Sequence, residues 1–290
     1  MRRSLGWAAA ALLLAAAPAG CGGGGGSARS TTVRALATAK VRKAAATTST
    51  PAPRTVPVLE PPPNAPRRSV RVPVLTYHRV HTMPAVGQPD LIVDPTVFSA
   101  ELKALHDAGY HTIHQAQLFD ALYEGARLPP KPIIISVDDG YVDDVRTILP
   151  DLERWHMVAT FFVITGRTQE PGFVTADQIR ELDRAGMDVG DHTAHHLDLP
   201  ELTPSELKSE TAGSRHALQS ILGHPVYYFA YPFGAFNETV IQAIHAAGFT
   251  MAYTTQGGTT ETTSAPLTMP RLHIGRDETR SGLLELLGGA

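Results

Sequence analysis

The chain is 290 residues long, 43% hydrophobic and 18% charged, with a formal net charge of −3 and a single cysteine, Cys21. That length suits one domain of about 200 residues or two smaller ones, and a lone cysteine excludes an intramolecular disulfide framework or a cysteine-rich zinc site. Charge is split along the chain: nine Lys/Arg against Glu60 alone from Arg29 to Arg71, then 14 Lys/Arg against 27 Asp/Glu from Val72 onward, a formal −13. So acidic a body cannot easily neutralise phosphates, which excludes nucleic acid as a partner.

Met1-Arg2-Arg3 and the apolar run Leu5–Ala17 predict a secretory signal. The run is shorter than the roughly 20 residues a bilayer span requires. The small residues Ala19-Gly20 before Cys21 resemble a bacterial lipoprotein signal, with Pro18 where an aliphatic residue is usual. Residues 1–21 are therefore read as a signal, with Cys21 the lipidated residue that anchors an extracytoplasmic protein to the membrane. The alternative is an ordinary signal peptide and a freely secreted chain. Residues 22–69 are rich in Gly, Ala, Thr, Pro and Arg and poor in large apolar side chains, which predicts a disordered basic linker.

Residues 70–290 alternate between strand and helix patterns. Val72–Tyr77 reads as a buried strand, and Asp94-Pro95 opens a helix that Gly109 stops. A strand at His111–Ile113, a helix at Gln115–Glu124 and the β run Ile133–Val137 follow. Next come helix Asp144–Trp155, strand Ala159–Ile164, helix Ala176–Ala185 and strand Met187–Val189. Thr203-Pro204-Ser205-Glu206 is a capping box that starts a helix reaching Leu222. Strand Tyr227–Tyr231, helix Glu238–Ala247, strands Thr250–Thr254 and Arg271–Ile274 and a last helix complete the pattern. Seven or eight strands alternating with helices predict a parallel α/β sheet closed into a (β/α) barrel, with a doubly wound open sheet as the alternative. Either architecture places chemistry at the C-terminal ends of the strands.

Asp138-Asp139-Gly140 follows one strand directly, so one carboxylate can face a metal while its neighbour faces substrate. Gly190-Asp191-His192-Thr193-Ala194-His195-His196 follows another. A four-residue spacing puts His192 and His196 on one side of a helical turn, suited to joint ligation, and points His195 elsewhere. Two imidazoles and a carboxylate make a facial triad with open positions, and a second carboxylate can accept the proton of an attacking water.

Val137-Asp138-Asp139-Gly140, His192-Thr193-Ala194-His195-His196 and Ala230-Tyr231-Pro232-Phe233-Gly234 resemble, in that order, motifs of the polysaccharide deacetylase (NodB-homology) carbohydrate esterases. The resemblance implies a distorted (β/α) barrel, Asp138 as general base, and Asp139, His192 and His196 as ligands of a divalent metal, usually Zn2+. It also implies that the Tyr231, Pro232, Phe233, Gly234 loop contacts substrate, with a backbone N–H near Phe233 facing the oxyanion. Leu75-Thr76-Tyr77-His78 resembles the early Tyr-His element of the subgroup that includes poly-N-acetylglucosamine deacetylases, which makes His78 the general acid. His273, also near the end of its strand, is the alternative acid, while the family's late Leu-x-His motif has no clean match beyond the adjacent pair Leu272-His273. Ala230 stands where many members carry an arginine that orients the base.

The expected activity is metal-dependent removal of N-acetyl groups from an N-acetylglucosamine-containing wall or extracellular polysaccharide. The alternatives are an O-acetyl esterase of xylan type using the same site, and a wall-binding lipoprotein without catalysis.

Overall fold

The computed structural model describes residues 56–82, 89–276 and 280–288. The expected signal, with Cys21, and the expected linker as far as residue 55 lie outside the described residues. From Val56 to Arg68 the stretch expected to be linker is laid on the domain. Leu59 is buried in a core cluster, and the Arg68 guanidinium donates to the Leu122 carbonyl at 2.9 Å. Packing therefore begins ahead of the expected Val70 boundary. A single anchoring leucine among prolines carries no periodic signal that sequence reading could have used.

Twelve strands are present among the described residues. They are β1 (Ser69–Arg71), β2 (Val74–Tyr77), β3 (Arg79–Val80), β4 (Ile92–Val93), β5 (His111–Thr112) and β6 (Pro132–Val137), then β7 (Thr160–Val163), β8 (Asp188–Asp191), β9 (Tyr228–Ala230), β10 (Met251–Tyr253), β11 (Thr260–Thr262) and β12 (Leu272–His273). Eight of them form a parallel sheet in the order β10-β9-β8-β7-β6-β2-β12, with β5 also on β6. The curled sheet is closed by an irregular segment. Pro266 and Met269 exchange backbone hydrogen bonds with Ala252 and Thr254 beside β10, each at 2.9 Å. The same segment then crosses to β2, where Ile274 N–H reaches the Thr76 carbonyl at 3.0 Å. The result is the expected distorted barrel, whose last stave pairs with each neighbour over only a few residues.

Strand alternation divides the core in two. Leu75, Tyr77, Ile133, Ile135, Val137, Phe161, Val163 and Phe229 pack outward with the helices. Val74, Ile134, Phe162, Tyr228, Tyr253 and Met269 form the inner cluster, joined by Leu118 and Leu122. Along β2 and β6 the inner face turns polar at Thr76 and Ser136, one step before the site.

The helices begin where their caps predict. Asp94 accepts from Thr96 N–H at 2.8 Å to start α1 (Pro95–Asp107), and α2 (Gln115–Tyr123) follows. Two expected helices are instead interrupted by π-helical turns. Residues Asp144–Ile148 precede α3 (Leu149–Arg154), and Ser209–Gly213 separate α5 (Pro204–Lys208) from α6 (Ser214–Leu222). The second π turn brings Glu210 inward, where it supports the histidine loop described below. Such turns are often tied to sites, and hydrophobic periodicity does not reveal them. Between α3 and α5 lies α4 (Ala176–Arg184), with α7 (Glu238–Ala247) and α8 (Arg280–Leu286) nearer the C-terminus.

Strand β11 pairs antiparallel with β1, and its Glu261 is fully buried with neither carboxyl oxygen hydrogen-bonded. Burial raises its pKa from the usual 4.5 to about 8. The native state thus keeps a proton that the unfolded chain gives up, and stability falls as pH rises from 4.5 to about 8. Within that window the slope approaches about 1.4 kcal/mol per pH unit. Glu261→Gln is expected to flatten it, read as urea midpoints at pH 5, 6.5 and 8. The same slope in wild type and variant would show that Glu261 has no part in it.

Candidate active site

Asp138 and Asp139 leave β6 through a sharp turn. Asp138 N–H continues the ladder to the Tyr77 carbonyl at 2.9 Å. Asp139 (φ 78°) and Gly140 (φ 72°) then take left-handed backbone that aims the two carboxylates differently.

The loop after β8 carries the imidazoles, and it is not helical. Thr193 (φ 68°) and His196 (φ 57°) are both left-handed, so the helical-turn argument from the four-residue spacing is corrected. What joins the rings is a pinned loop. Thr193 N–H donates to Asp191 at 2.7 Å, His196 N–H to Thr193 Oγ1 at 2.9 Å, and His195 N–H to Glu210 at 2.8 Å. Gly166 N–H donates to the Ala194 carbonyl at 2.8 Å, and a Cβ on Gly166 would lie 2.4 Å from that oxygen. The His195 ring turns to Glu210, at 2.6 Å, as expected for a residue outside the ligand set.

Asp139, His192 and His196 place one ligand atom each within 4.8 Å of one another. Asp139 Oδ1 lies 3.5 Å from His192 Nε2 and 3.6 Å from His196 Nε2, and it is buried without a hydrogen-bond partner. His192 Nδ1 donates to the Ala230 carbonyl at 2.8 Å, which leaves Nε2 to act as a ligand. Burial, helped by His192, lowers the His196 pKa to about 4, so this ring is neutral at neutral pH. Burial opposes a charged His192 as well, but Asp139 and Asp138 outweigh it and raise its pKa. An orphaned carboxylate oxygen facing two imidazole nitrogens fits a divalent cation.

Asp138 has a partner that sequence reading missed. The Arg271 guanidinium donates to both its oxygens, at 2.8 and 2.7 Å, and the two side chains are 3% and 2% exposed. Arg271 is itself held by the Thr254 carbonyl at 3.0 Å and Ser136 Oγ at 3.2 Å. Burial works against ionising Asp138, yet Arg271 and His192 hold its carboxyl well below the usual carboxylate range. An arginine is therefore present at the base although Ala230 does not supply it. One signal was available: Arg271 is the only Lys or Arg between Arg215 and Arg276.

A cavity of about 530 Å³ brings together His78, Asp138, Asp139, His192, His196, Tyr231, Phe233 and His273. His78 and His273 meet edge to face, 5.6 Å between ring centroids. Burial lowers the His78 pKa, opposed by the charges of Asp138 and Asp139, which line the same cavity. His273 is the more exposed of the two.

Within the Tyr231–Gly234 loop the four residues behave differently. The Tyr231 hydroxyl is committed to the Leu267 carbonyl at 2.8 Å, and Pro232 is buried. Gly234 (φ 69°) packs so closely that a Cβ would lie 2.0 Å from Thr255 Oγ1. Phe233 (φ 57°) projects, 63% exposed, with its ring 4.5 Å from that of His196. The N–H groups of Gly234 and Ala235 close the turn, at 2.9 and 3.0 Å, and that of Phe233 takes no part in it.

Residues 125–252 match the polysaccharide deacetylase family, a span that includes both aspartates and the histidine loop but neither His78 nor Arg271. The chain is 29% identical over 191 residues to YxkH of Bacillus subtilis, named as a polysaccharide deacetylase, covering 66% of this chain and 67% of that protein. It is 22% identical over 201 residues to the poly-β-1,6-N-acetyl-D-glucosamine N-deacetylase of Staphylococcus aureus, covering 64% and 68%. The Streptococcus pyogenes deacetylase PplD, solved with acetate, superposes with a TM-score of 0.71 at 28% identity, over 76% of this chain and 99% of that one. The strand-end carboxylates, the histidine loop and the barrel that carries them thus lie in a domain that resembles the polysaccharide deacetylases, in sequence over residues 125–252 and in fold over most of the chain.

Proposed function

We propose that this domain removes N-acetyl groups from an N-acetylglucosamine-containing wall or extracellular polysaccharide. The observation that carries the reading is the shared cavity, in which an arginine-held carboxylate adjoins an Asp-His-His cluster. Asp139, His192 and His196 would hold a divalent cation, with zinc the best fit to two imidazoles and a carboxylate. Bound there, such a cation polarises the acetyl carbonyl and makes a water more acidic. Asp138, kept ionised by Arg271, takes the proton of the attacking water. The Phe233 N–H, which takes no part in the turn's own hydrogen bonds, is the donor for the charge that develops on the carbonyl oxygen. His78 protonates the departing amine, so that the products are acetate and a free amino sugar.

An N-acetyl rather than O-acetyl substrate is supported by the N-deacetylase named among the relatives. The non-catalytic reading rested on the missing arginine at Ala230, and Arg271 removes that support. We also propose that Cys21 is lipidated and holds the domain outside the cytoplasm. Mass spectrometry of the mature N-terminus tests this, and an unmodified Cys21 would refute it.

The central experiment is acetate release by the purified chain from N-acetylglucosamine oligomers, with chelator and then with added zinc. Release that the chelator stops and zinc restores is the expected result. If the folded, zinc-loaded protein releases acetate from acetylated xylan and not from these oligomers, the esterase reading replaces this one. Assignment of the acid is tested by comparing His78→Gln with His273→Gln. The first should lower kcat by about a hundredfold and the second by far less. The reverse order would make His273 the acid.

A further inference from the structure

One wall of the cavity carries two arginines that none of these steps uses. The Arg79 guanidinium lies 4.5 Å from the centre of the Tyr141 ring, and Tyr141 stacks on Phe173 at 4.8 Å. The Arg167 guanidinium lies 3.9 Å from the centre of the Phe173 ring. The four side chains form a continuous stack, arginine at each end, beside the turn that carries Asp139.

Each arginine is fixed from behind. Arg79 Nε donates to Asp143 and Arg167 Nε to Glu170, both at 2.9 Å. Neither Nη pair takes part in these bonds. Arg79, Tyr141 and Arg167 line the cavity, whereas Asp143 and Glu170 do not. The cavity wall is thus shared by both arginines and not by the carboxylates that pair with their Nε groups. The side chains of Arg79 and Arg167 are 20% and 38% exposed, open enough to be reached yet held by ring and carboxylate together.

Stacking a neutral sugar requires only an aromatic face. A guanidinium fixed at Nε with its Nη fork free suits a planar or tetrahedral oxyanion, and ordering it in advance lowers the entropy lost on binding. These arginines also stand out from a domain with a formal charge of −13, so they do not belong to a generally basic surface.

From this arrangement we infer that the glycan processed here bears an acidic substituent, a carboxylate or a phosphate, near the reacting acetamide, and that the Nη groups of Arg79 and Arg167 bind it. The inference builds on the deacetylase reading and narrows its substrate class.

Three probes test it. One is a peptide-free strand of alternating N-acetylglucosamine and N-acetylmuramic acid, whose lactyl group is a free carboxylate. The second is the same strand with that carboxylate reduced to the alcohol. The third is an N-acetylglucosamine oligomer bearing a 6-phosphate, compared with the unmodified oligomer. Acetate release is measured for the zinc-loaded chain, and binding to the chelator-treated chain is measured by calorimetry at two salt concentrations. The acidic form of at least one pair should have kcat/KM about tenfold or more above its neutral counterpart, and the pair that shows it names the anion. Arg167→Gln should bring that ratio towards one, and Arg79→Lys, which keeps the charge and loses the fork, should reduce it. Arg154→Gln, at a side chain 69% exposed and outside the cavity, should leave the ratio unchanged.

Equal kcat/KM for acidic and neutral forms in both pairs would overturn the inference, as would a preference that survives both arginine variants. If no probe releases acetate, the deacetylase reading fails and calorimetry decides the inference alone. Salt-sensitive binding of an acidic probe that Arg167→Gln abolishes would then support it, and equal binding of acidic and neutral forms would refute it.

Discussion

Asp138→Asn is expected to cut kcat for acetate release by about a thousandfold, the usual range for loss of a general base. The amide matches the carboxylate in shape but cannot accept the proton of the attacking water. Asp139, His192 and His196 remain, so bound zinc should stay near one per chain when measured by atomic emission. The substitution also leaves the Arg271 charge buried without its counter-ion, so some loss of thermal stability should accompany the loss of rate. Circular dichroism at the assay temperature separates the two effects. A folded, zinc-loaded Asp138→Asn protein that retains a tenth or more of wild-type activity would remove Asp138 from its role.

The parts of this site that were legible in sequence are those built from neighbours along the chain. Asp138 and Asp139 follow a run of β-branched residues, and three histidines fall within five positions after the next-but-one strand. Local spacing shows that such residues belong together, although here it suggested the wrong geometry. The histidine loop relies on two left-handed non-glycine residues, a conformation that depends on Glu210 and Gly166 from outside the motif as well as on Asp191 within it. Arg271 was invisible as a partner for a related reason. It lies 133 residues from Asp138 and is delivered by the irregular stave that closes the barrel, which has no hydrophobic period of its own. The closed barrel and its last strand could be read from the strand pattern, whereas the pairing of Pro266 and Met269 with β10 that completes the closure could not.

That long-range pair gives the other large effect. Arg271→Met is expected to destabilise the fold by about 3–5 kcal/mol, because it leaves a buried carboxylate unpaired. The same substitution in an Asp138→Asn background removes an arginine that has already lost its charged partner, and should cost much less. Desolvating both charges is expensive, so replacing both by neutral groups forfeits attraction and penalty together. A double-mutant cycle in urea should therefore give a coupling of a few kcal/mol in the direction that favours the double variant over the sum of the singles. Additive free energies would mean that Arg271 acts through Thr254 and Ser136, which it also contacts, and not through Asp138. Activity divides the same variants differently. Both singles and the double should be nearly inactive, because stability depends on removing the two charges together and the reaction depends on keeping both. A double variant that is stable and still binds zinc, but releases no acetate, is thus the expected signature of an ion pair kept for catalysis and not for the fold.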